Sequence, residues 1–292
     1  MELCDCSLTQ CIDNIEMKIN FEFSKPDSGL LQQIVFGLNF LHGIGIVHRD
    51  IKPSNVLVKF QSQSNSPTKT PNNKPLLKLA DFGISKKLDA VEKDVTTKRR
   101  GSTGWMAPEL FATPAEYTKA VDVFAAGLVL FYASTTGSHP FAPDDSATTD
   151  IGSHLNFEAC QDSIKKEKPP KKLIMLNGSP GIYNLIDWMI QPKFNDRPVI
   201  EKVLEHPYFW NADRALNFVR QVSEKIEGIK CPSEEHSTFI QPLENLKDQL
   251  FSSNWEDELT PKVKENLNFR RKNYPYDGTS VAYLIRAIRN KV

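Results

Sequence analysis

The sequence predicts a mainly α-helical protein, in which an α+β part with small β-hairpins is followed by an all-α extension. Three patterns predict this class. Apolar residues recur at helical spacing between Leu30 and Leu41. Residues 122–132 are apolar nearly all round, as expected of a helix at the centre of a packed lobe. Short β-forming runs at 56–58 and 76–79 predict the two strands of a hairpin.

Length and composition are those of a globular protein. The chain has 292 residues, 40% hydrophobic and 25% charged, which is enough for two domains with a packed core. Lys and Arg together number 36, as do Asp and Glu, so the net charge gives no general argument for a nucleic-acid or membrane partner. No run approaches the roughly 20 apolar residues that span a bilayer, and no signal peptide is present. We expect a cytosolic chain that makes no membrane contact itself.

The five cysteines favour the same setting. An odd number without a regular framework argues against a secreted disulfide scaffold and for a reducing, cytosolic compartment. Cys4, Cys6 and Cys11 have side chains that bind metals, but no histidine is near them and their spacing fits no common zinc site. Thiols on a loop and a helix are the simpler interpretation.

The first long helix is expected to follow Asp27–Ser28, which are good capping residues, and to end at His42–Gly43. It leads into the stretch that carries most of the chemistry, residues 47–58 (VHRDIKPSNVLV). Asp50 can accept the proton of an attacking hydroxyl, and Lys52 can neutralise charge on a transferred phosphate. Asn55 can offer an amide oxygen to Mg²⁺. The order of these residues is the pattern H-R-D-x-x-x-x-N of phosphoryl-transfer loops.

Two further motifs follow in order. The residues DFG at 81–83 come after a predicted strand, and APE at 107–109 closes the segment that they begin. With these three motifs the chain resembles the C-terminal lobe of a eukaryotic-type Ser/Thr protein kinase. The resemblance implies ATP and Mg²⁺ as cofactors. Asp50 and Lys52 would be catalytic, Lys52, Asn55 and Asp81 would bind the cofactor, and Asn55 and Asp81 would be the metal ligands.

The resemblance also implies structural roles. Residues 1–12 look like the hinge between two kinase lobes running into the first helix of the lower one. No glycine-rich loop or V-A-I-K lysine of an upper lobe is found, so the isolated chain is expected to bind ATP poorly. Asp122 would hold the backbone of the catalytic loop, Glu109 would form a buried pair with Arg197, and Arg49 would contact a phosphorylated activation segment.

The activation segment, residues 81–109, contains two phosphosite candidates, Thr96 and Thr97, next to the basic residues 98–100. Autophosphorylation in trans, by a second copy, would modify them. Unmodified exposed hydroxyls remain the alternative, because a sequence cannot show modification. Ser102 and Lys52 together favour Ser or Thr, rather than Tyr, as the phosphoacceptor.

We predict two domains, 1–210 and 211–292. The first is the kinase-like C-lobe, interrupted at 61–75 by a polar stretch that has no apolar side chain to bury and is expected to be a disordered insertion. The second begins with amphipathic helix patterns through Leu216–Ile226 and Leu243–Leu250. The predicted order is therefore a mixed lobe followed by a helical extension.

The end of the chain carries a second resemblance. It rests on residues 208–210 (YFW), Trp255, Tyr276 and residues 284–291 (LIRAIRNK). These are similar to the kinase-extension nuclease domain shared by the inositol-requiring kinase/endoribonuclease, the unfolded-protein-response sensor of the endoplasmic reticulum, and by RNase L. The resemblance implies RNA stem-loops as substrate and a homodimer or higher oligomer in the parent protein. The parent would act at the cytosolic face of the endoplasmic reticulum membrane.

Metal-free RNA cleavage needs a base, an acid and cations for the charge that develops on phosphorus. By resemblance Tyr276 and Arg289 would serve the charge and proton needs, and Asn290 would position the RNA. Residues 262–292 contain eight Lys or Arg and two acidic residues, which suits a phosphate backbone. No histidine follows Tyr276, so the general acid of the family is missing from the chain and we expect its isolated nuclease activity to be weak.

Two alternatives remain open. Besides the kinase coupled to a metal-independent endoribonuclease, the protein could be a plain Ser/Thr kinase with a regulatory helical tail, or a catalytically idle scaffold. The intact set of Asp50, Lys52, Asn55 and Asp81 argues against the scaffold.

Overall fold

The computed structural model describes residues 3–14, 29–60, 75–87, 94–96, 100–143, 155–229, 233–269 and 276–290. The chain divides into two compact units, Met1–Phe209 and Trp210–Val292. Both are mainly helical, which confirms the predicted class, and the strands of the described residues all lie in the first unit. The predicted insertion at 61–75 lies outside the described residues except for Pro75.

The strands of the first unit form three small antiparallel sheets among the described residues. The largest has the order β1-β3-β4, and the hairpin predicted from residues 56–58 and 76–79 is its β3–β4 pair, in which Val56 faces Leu79. The other sheets pair β2 with β5 and β6 with β7. The strands are β1 (Cys6–Ser7), β2 (Ile46–Val47), β3 (Val56–Lys59), β4 (Leu76–Leu79), β5 (Lys86–Lys87), β6 (Asp94–Thr96) and β7 (Ala115–Tyr117).

The α-helices described in the first unit are α1 (Leu8–Asp13), α2 (Leu30–Gly43), α3 (Lys119–Ser134), α4 (Phe157–Lys165), α5 (Pro180–Met189) and α6 (Ile200–Glu205). Helix α3 is the centre of the unit, with every residue from Val121 to Ala133 buried, as the all-round apolar pattern predicts. It packs against α2 and α5. A Cβ at Gly127 would lie 2.7 Å from Ile190 Cγ2, so the close approach at this point requires glycine.

The start of α2 differs from the prediction. The residue before its first turn is Gly29, in the left-handed conformation with φ 65°, and no side chain of the described residues caps the helix. The expected capping residues, Asp27 and Ser28, lie outside the described residues. Glycine is used because it adopts positive φ without the steric cost of a Cβ. The predicted end of the helix, His42–Gly43, is confirmed.

The second unit contains α7 (Ala212–Gly228), a π-helical turn (His236–Ile240), α8 (Gln241–Glu244), α9 (Lys247–Leu250), α10 (Pro261–Phe269) and α11 (Val281–Arg289). Helices α7 and α11 pack together. The prediction of one helix through Leu243, Leu246 and Leu250 is wrong, since the chain leaves the helix at Asn245 and starts again. The Asn245 side chain accepts a hydrogen bond from Gln241 Nε2 at 3.2 Å, an i, i+4 contact of the kind that forms on a helix surface, so this bond does not explain the break.

The apolar core of the second unit is small. Its buried members are Phe251, Trp255, Val281 and Ala287. The core of the first unit is far larger and includes the whole buried stretch of α3. No helix among the described residues is both long and apolar enough to cross a membrane.

Candidate functional site

The backbone of the loop that carries Asp50 is held by hydrogen bonds to Asp122 of α3. The Asp122 carboxylate, which is 1% exposed, accepts the backbone N–H groups of His48 and Arg49, each at 2.8 Å. It also lies 3.0 Å from His42 Nε2 at the end of α2. Arg49 has φ 69°, a conformation that costs energy for a residue with a side chain. A buried carboxylate thus fixes a strained backbone, the contact expected of Asp122.

Asp50 lies at the centre of a cluster of three side chains. Its carboxylate accepts the Ser102 hydroxyl at 2.7 Å and lies 2.9 Å from Lys52 Nζ, which also donates to Ser102 Oγ at 2.6 Å. Burial alone would raise the pKa of Asp50, but the hydrogen bonds from Lys52, Ser102 and Asn55 and the charge of Lys52 outweigh it and hold the pKa below its usual value. Asp50 is therefore a carboxylate at neutral pH.

Asn55 and Asp81 come together through backbone bonds between their segments. Asn55 ends the 3₁₀ turn Pro53–Asn55, and its side-chain nitrogen donates to the Asp50 carbonyl at 2.9 Å and to its carboxylate at 3.1 Å. The Asn55 carbonyl accepts the N–H of Ala80, and His48 Nε2 lies 3.0 Å from the Ala80 carbonyl oxygen. Asp81 is exposed, and its backbone has φ 64°. It directly follows Ala80, which is hydrogen-bonded to Asn55, and so it lies next to the loop.

The end of the activation segment is held by an ion pair. Arg197 donates from both terminal nitrogens to Glu109, at 2.7 and 2.8 Å. Its other N–H groups donate to the carbonyl oxygens of Ala120, Gln191 and Pro192. This is the buried pair expected from the sequence, and all five donors of the guanidinium are used.

The two phosphosite candidates can be located only in part. Thr96 is the last residue of β6, where its backbone pairs with Ala115 of β7, and its side chain lies outside the description. Thr97 lies outside the described residues altogether. Their modification stays a prediction.

The three nuclease candidates form one connected polar cluster in the second unit. Asn290 donates from Nδ2 to the Tyr276 hydroxyl at 3.0 Å, and its Oδ1 accepts from Arg289 Nε and Nη2 at 3.2 and 3.1 Å. The two terminal nitrogens of Arg289 donate to Glu227 of α7, both at 2.7 Å. The hydrogen bond from Arg289 lowers the pKa of Glu227 against a smaller effect of burial, and the charges of Arg289 and Arg286 add to it.

Two supports of this cluster were not predicted. Glu244 accepts from the Ser280 hydroxyl and from the N–H groups of Val281 and Ala282 at 2.7 to 3.0 Å, and so holds the N-terminus of α11. Glu227 was missed as well. Both are acidic residues of polar sequence, and their partners are known only once the helices are packed.

The fold and the first site define the class of protein, a protein kinase. Residues 1–209 match the family model described as a protein kinase domain, and residues 215–292 match the model described as ribonuclease 2-5A. The chain belongs to the IRE1-type kinase/endoribonuclease family, which confirms the resemblance found in the sequence.

Named relatives agree with this assignment. Serine/threonine-protein kinase/endoribonuclease IRE1b of Arabidopsis thaliana is 34% identical over 267 residues, 90% of this chain and 27% of the relative. The sensor for unfolded proteins in the ER ire1 of Schizosaccharomyces pombe is 33% identical over the whole chain and 27% of its own length. Human IRE2, with the same descriptive name as the Arabidopsis protein, is 32% identical over the whole chain. The chain spans 27 to 29% of the length of these relatives.

Proposed function

We propose that the protein transfers the γ-phosphoryl group of ATP, with Mg²⁺, to Ser or Thr hydroxyls, and that its C-terminal unit takes part in metal-independent cleavage of RNA. The observation that supports phosphoryl transfer best is the hydroxyl of Ser102 between Asp50 and Lys52. The Ser102 hydroxyl donates to the Asp50 carboxylate and accepts from the Lys52 ammonium. A substrate hydroxyl would fit the same position, where Asp50 can take its proton and Lys52 can pair with the phosphate.

In this mechanism Asp50 accepts the proton of the substrate hydroxyl as that oxygen bonds to the γ-phosphorus, while the bond from this phosphorus to the β–γ bridging oxygen breaks and ADP leaves. Its lowered pKa keeps it ionised for this purpose. Lys52 faces the charge that develops on the phosphoryl oxygens. Thr96 or Thr97 of a second copy would be substrates of the same site, with a second copy as the protein partner.

The donor set also fits Mg²⁺. The Asn55 amide nitrogen is committed to Asp50, and no described residue donates to its oxygen, which remains available as a ligand. Asp81 presents an exposed carboxylate whose one described contact is the Gly83 N–H at 3.3 Å. Oxygen ligands of this kind are those that Mg²⁺ prefers. When bound, Mg-ATP supplies the transferable phosphoryl group and neutralises its oxygens.

RNA cleavage is supported by the connected cluster of Tyr276, Asn290 and Arg289. In the proposed reaction the ribose 2′-hydroxyl attacks the adjacent phosphorus, and the bond to the leaving 5′-oxygen breaks. Arg289 stabilises the negative charge of the phosphorane, and Asn290 positions the RNA. The Tyr276 phenol relays the proton of the 2′-hydroxyl to water, and the leaving 5′-oxygen takes its proton from water. The substrate class is an RNA stem-loop.

The relatives also suggest where the protein works. The Schizosaccharomyces pombe relative is named a sensor for unfolded proteins in the endoplasmic reticulum. We propose that this protein serves the unfolded-protein response at the cytosolic face of that membrane, as a homodimer or higher oligomer. Sedimentation of the protein with and without Mg-ATP tests the assembly, and a monomer at all concentrations would contradict it.

The kinase proposal is tested by Asp50→Asn. Phosphate incorporation at Thr96 and Thr97, measured by mass spectrometry after incubation with Mg-ATP, should fall about 10²- to 10⁴-fold, the contribution of a positioned general base. Asp162→Asn is the matched control, because Asp162 is exposed and paired only locally with Lys166. Equal incorporation by wild type and Asp50→Asn would instead favour the idle scaffold, whereas tight Mg-ATP binding in calorimetry would contradict the scaffold.

The nuclease proposal is tested by Tyr276→Phe and Arg289→Ala on a stem-loop RNA in the presence of a metal chelator. Each should lower the cleavage rate at saturating RNA roughly 100-fold, as expected of groups that act on charge or protons in the transition state. Tyr283→Phe removes a tyrosine hydroxyl from α11, the helix that carries Arg289, and serves as control. Unchanged cleavage in both variants would favour a plain kinase with a regulatory tail.

A further inference from the structure

Arg289 is not free to hold a phosphate in the arrangement of the described residues. Its two terminal nitrogens donate to the Glu227 carboxylate, and its Nε and Nη2 donate to Asn290 Oδ1. Four of its five N–H groups are therefore committed. Carboxylates and phosphates bind the guanidinium fork in the same two-bonded geometry, so a phosphate that takes the fork must displace Glu227.

A second cation lies close enough to Glu227 to pair with its carboxylate once that carboxylate is displaced. Arg286, one turn before Arg289 on α11, has its Nε 3.4 Å from Glu227 Oε1. This Nε is buried and makes no hydrogen bond to any described residue. A buried donor without an acceptor is costly, so a small shift of Glu227 toward Arg286 would satisfy it.

We propose that Glu227 is a movable carboxylate gate on the phosphate-binding fork of Arg289, which passes from Arg289 to Arg286 when a phosphate of the RNA backbone arrives. This inference rests on the proposed nuclease function. In the closed arrangement Glu227 stands in for the phosphate and keeps the guanidinium in place. In the open arrangement the phosphate takes both terminal nitrogens of Arg289, while Glu227 is paired with Arg286 and remains neutralised.

Asn290 keeps the orientation of the guanidinium during this exchange. It accepts from the Nε edge of Arg289, an edge that Glu227 does not occupy, and it is anchored in turn on the Tyr276 hydroxyl. The fork can therefore change partner without losing its direction. Glu227 is accordingly a positioning residue that acts through Arg289.

The test compares Glu227→Gln with Glu224→Gln in the protein, using a stem-loop RNA with 2′-deoxyribose at the cleaved position so that binding is measured without cleavage. Glu224, like Glu227, is an exposed residue of α7, but it forms no hydrogen bond to Arg289. Glu224→Gln therefore removes the same negative charge without removing a contact to Arg289. Glu227→Gln should bind the RNA about two- to fivefold more tightly than Glu224→Gln, the range of an exposed ion pair. Affinity equal to that of Glu224→Gln, or weaker, overturns the gate.

A spectroscopic readout separates a gate from a structural contact. In wild type, addition of the RNA should shift the arginine Nε–H resonance of Arg286 as it gains the carboxylate, and in Glu227→Gln that shift should be lost. An Arg286 resonance that does not move in wild type overturns the proposal. If Glu227→Gln does not fold, Glu227→Asp, whose carboxylate keeps its charge but is one methylene shorter and reaches Arg289 less well, should bind the RNA more tightly than the matched control Glu224→Asp.

Failure of the gate and failure of the nuclease function give different results. If Arg289→Ala binds the RNA as tightly as wild type, Arg289 is not a phosphate site and both proposals fall. If Arg289→Ala weakens binding while Glu227→Gln matches Glu224→Gln, only the gate is overturned.

Discussion

The two polar sites of the molecule are built on opposite principles. The catalytic loop of the first unit is fixed through its backbone, by the buried Asp122 on a helix whose inner residues are all buried. The cluster of the second unit is fixed through its side chains, Tyr276, Asn290, Arg289 and Glu227, which bind one another at helix ends. A backbone anchor leaves one geometry, whereas paired side chains can exchange partners. This difference predicts which substitutions destabilise each unit most.

Asp122→Ala should have the largest effect. It leaves the N–H groups of His48 and Arg49 buried without an acceptor and should destabilise the first unit by about 3–5 kcal/mol, the usual cost of removing one member of a buried charged network. Urea unfolding, followed by hydrogen exchange of peptides from the first unit, measures the loss.

Asp187→Ala is the matched control for this change. Asp187 is also partly buried in the first unit, but its carboxylate has no hydrogen-bond partner among the described residues, and burial raises its pKa. Its removal should change the free energy of unfolding by less than about 1 kcal/mol, since no buried partner is left unpaired. A loss in Asp122→Ala no larger than in this control would refute the backbone anchor.

The first unit should also lose stability in mild acid. His139 is fully buried, with Nε2 2.9 Å from the Gly104 carbonyl oxygen and Nδ1 accepting the Phe141 N–H. Burial lowers its pKa to about 4. Below the ordinary value of about 6.5 the unfolded chain binds a proton that the folded chain refuses, so stability falls as the pH falls from 6.5 toward 4.

Between pH 7 and pH 5 this histidine should cost about 2 kcal/mol of the free energy of unfolding. The measurement is the pH dependence of unfolding of wild type against His139→Asn, followed by tryptophan fluorescence, to which Trp105 contributes with its ring 5.4 Å from that of His139. His206, whose pKa burial also lowers, is present in both proteins and cancels in the difference. Parallel pH curves for the two proteins would show that His139 does not titrate as expected.

What the sequence could predict follows the same division. Asp50, Lys52 and Asn55 lie within six residues, so the sequence alone predicts that they act at one site. The structure brings their side chains together. Tyr276, Arg289 and Asn290 were identified by resemblance, and they are in contact. Glu227 and Glu244 could not be predicted, because many exposed glutamates share such polar sequence. Only the packing of α7 and α11, and the position of α8, selects them as partners.

Sequence patterns also gave wrong helix boundaries at two places, around Asn245 and at the start of α2. The leucine spacing around Asn245 fits one helix, yet the chain forms two, because spacing reports which residues can face a core and not whether the backbone continues. Gly29 gives no side-chain signal for the start of α2, because polar capping side chains are what indicates a helix start in a sequence and glycine has none. At Gly29 the backbone conformation of one residue, with φ 65°, sets the start of the helix.

The smallest effect is expected for Glu244→Ala, which removes a side-chain anchor from the second unit. The variant frees the Ser280 hydroxyl and the first N–H groups of α11, groups close enough to water to be partly resolvated, so the unit should lose about 1–2 kcal/mol. Asp248→Ala, an exposed carboxylate on α9, is the control and should change stability by less than about 0.5 kcal/mol. Hydrogen exchange of the α11 amides reports the change. Because α11 carries Arg289, RNA cleavage should fall together with amide protection; full cleavage with a frayed α11 would mean that the cluster does not depend on this helix end.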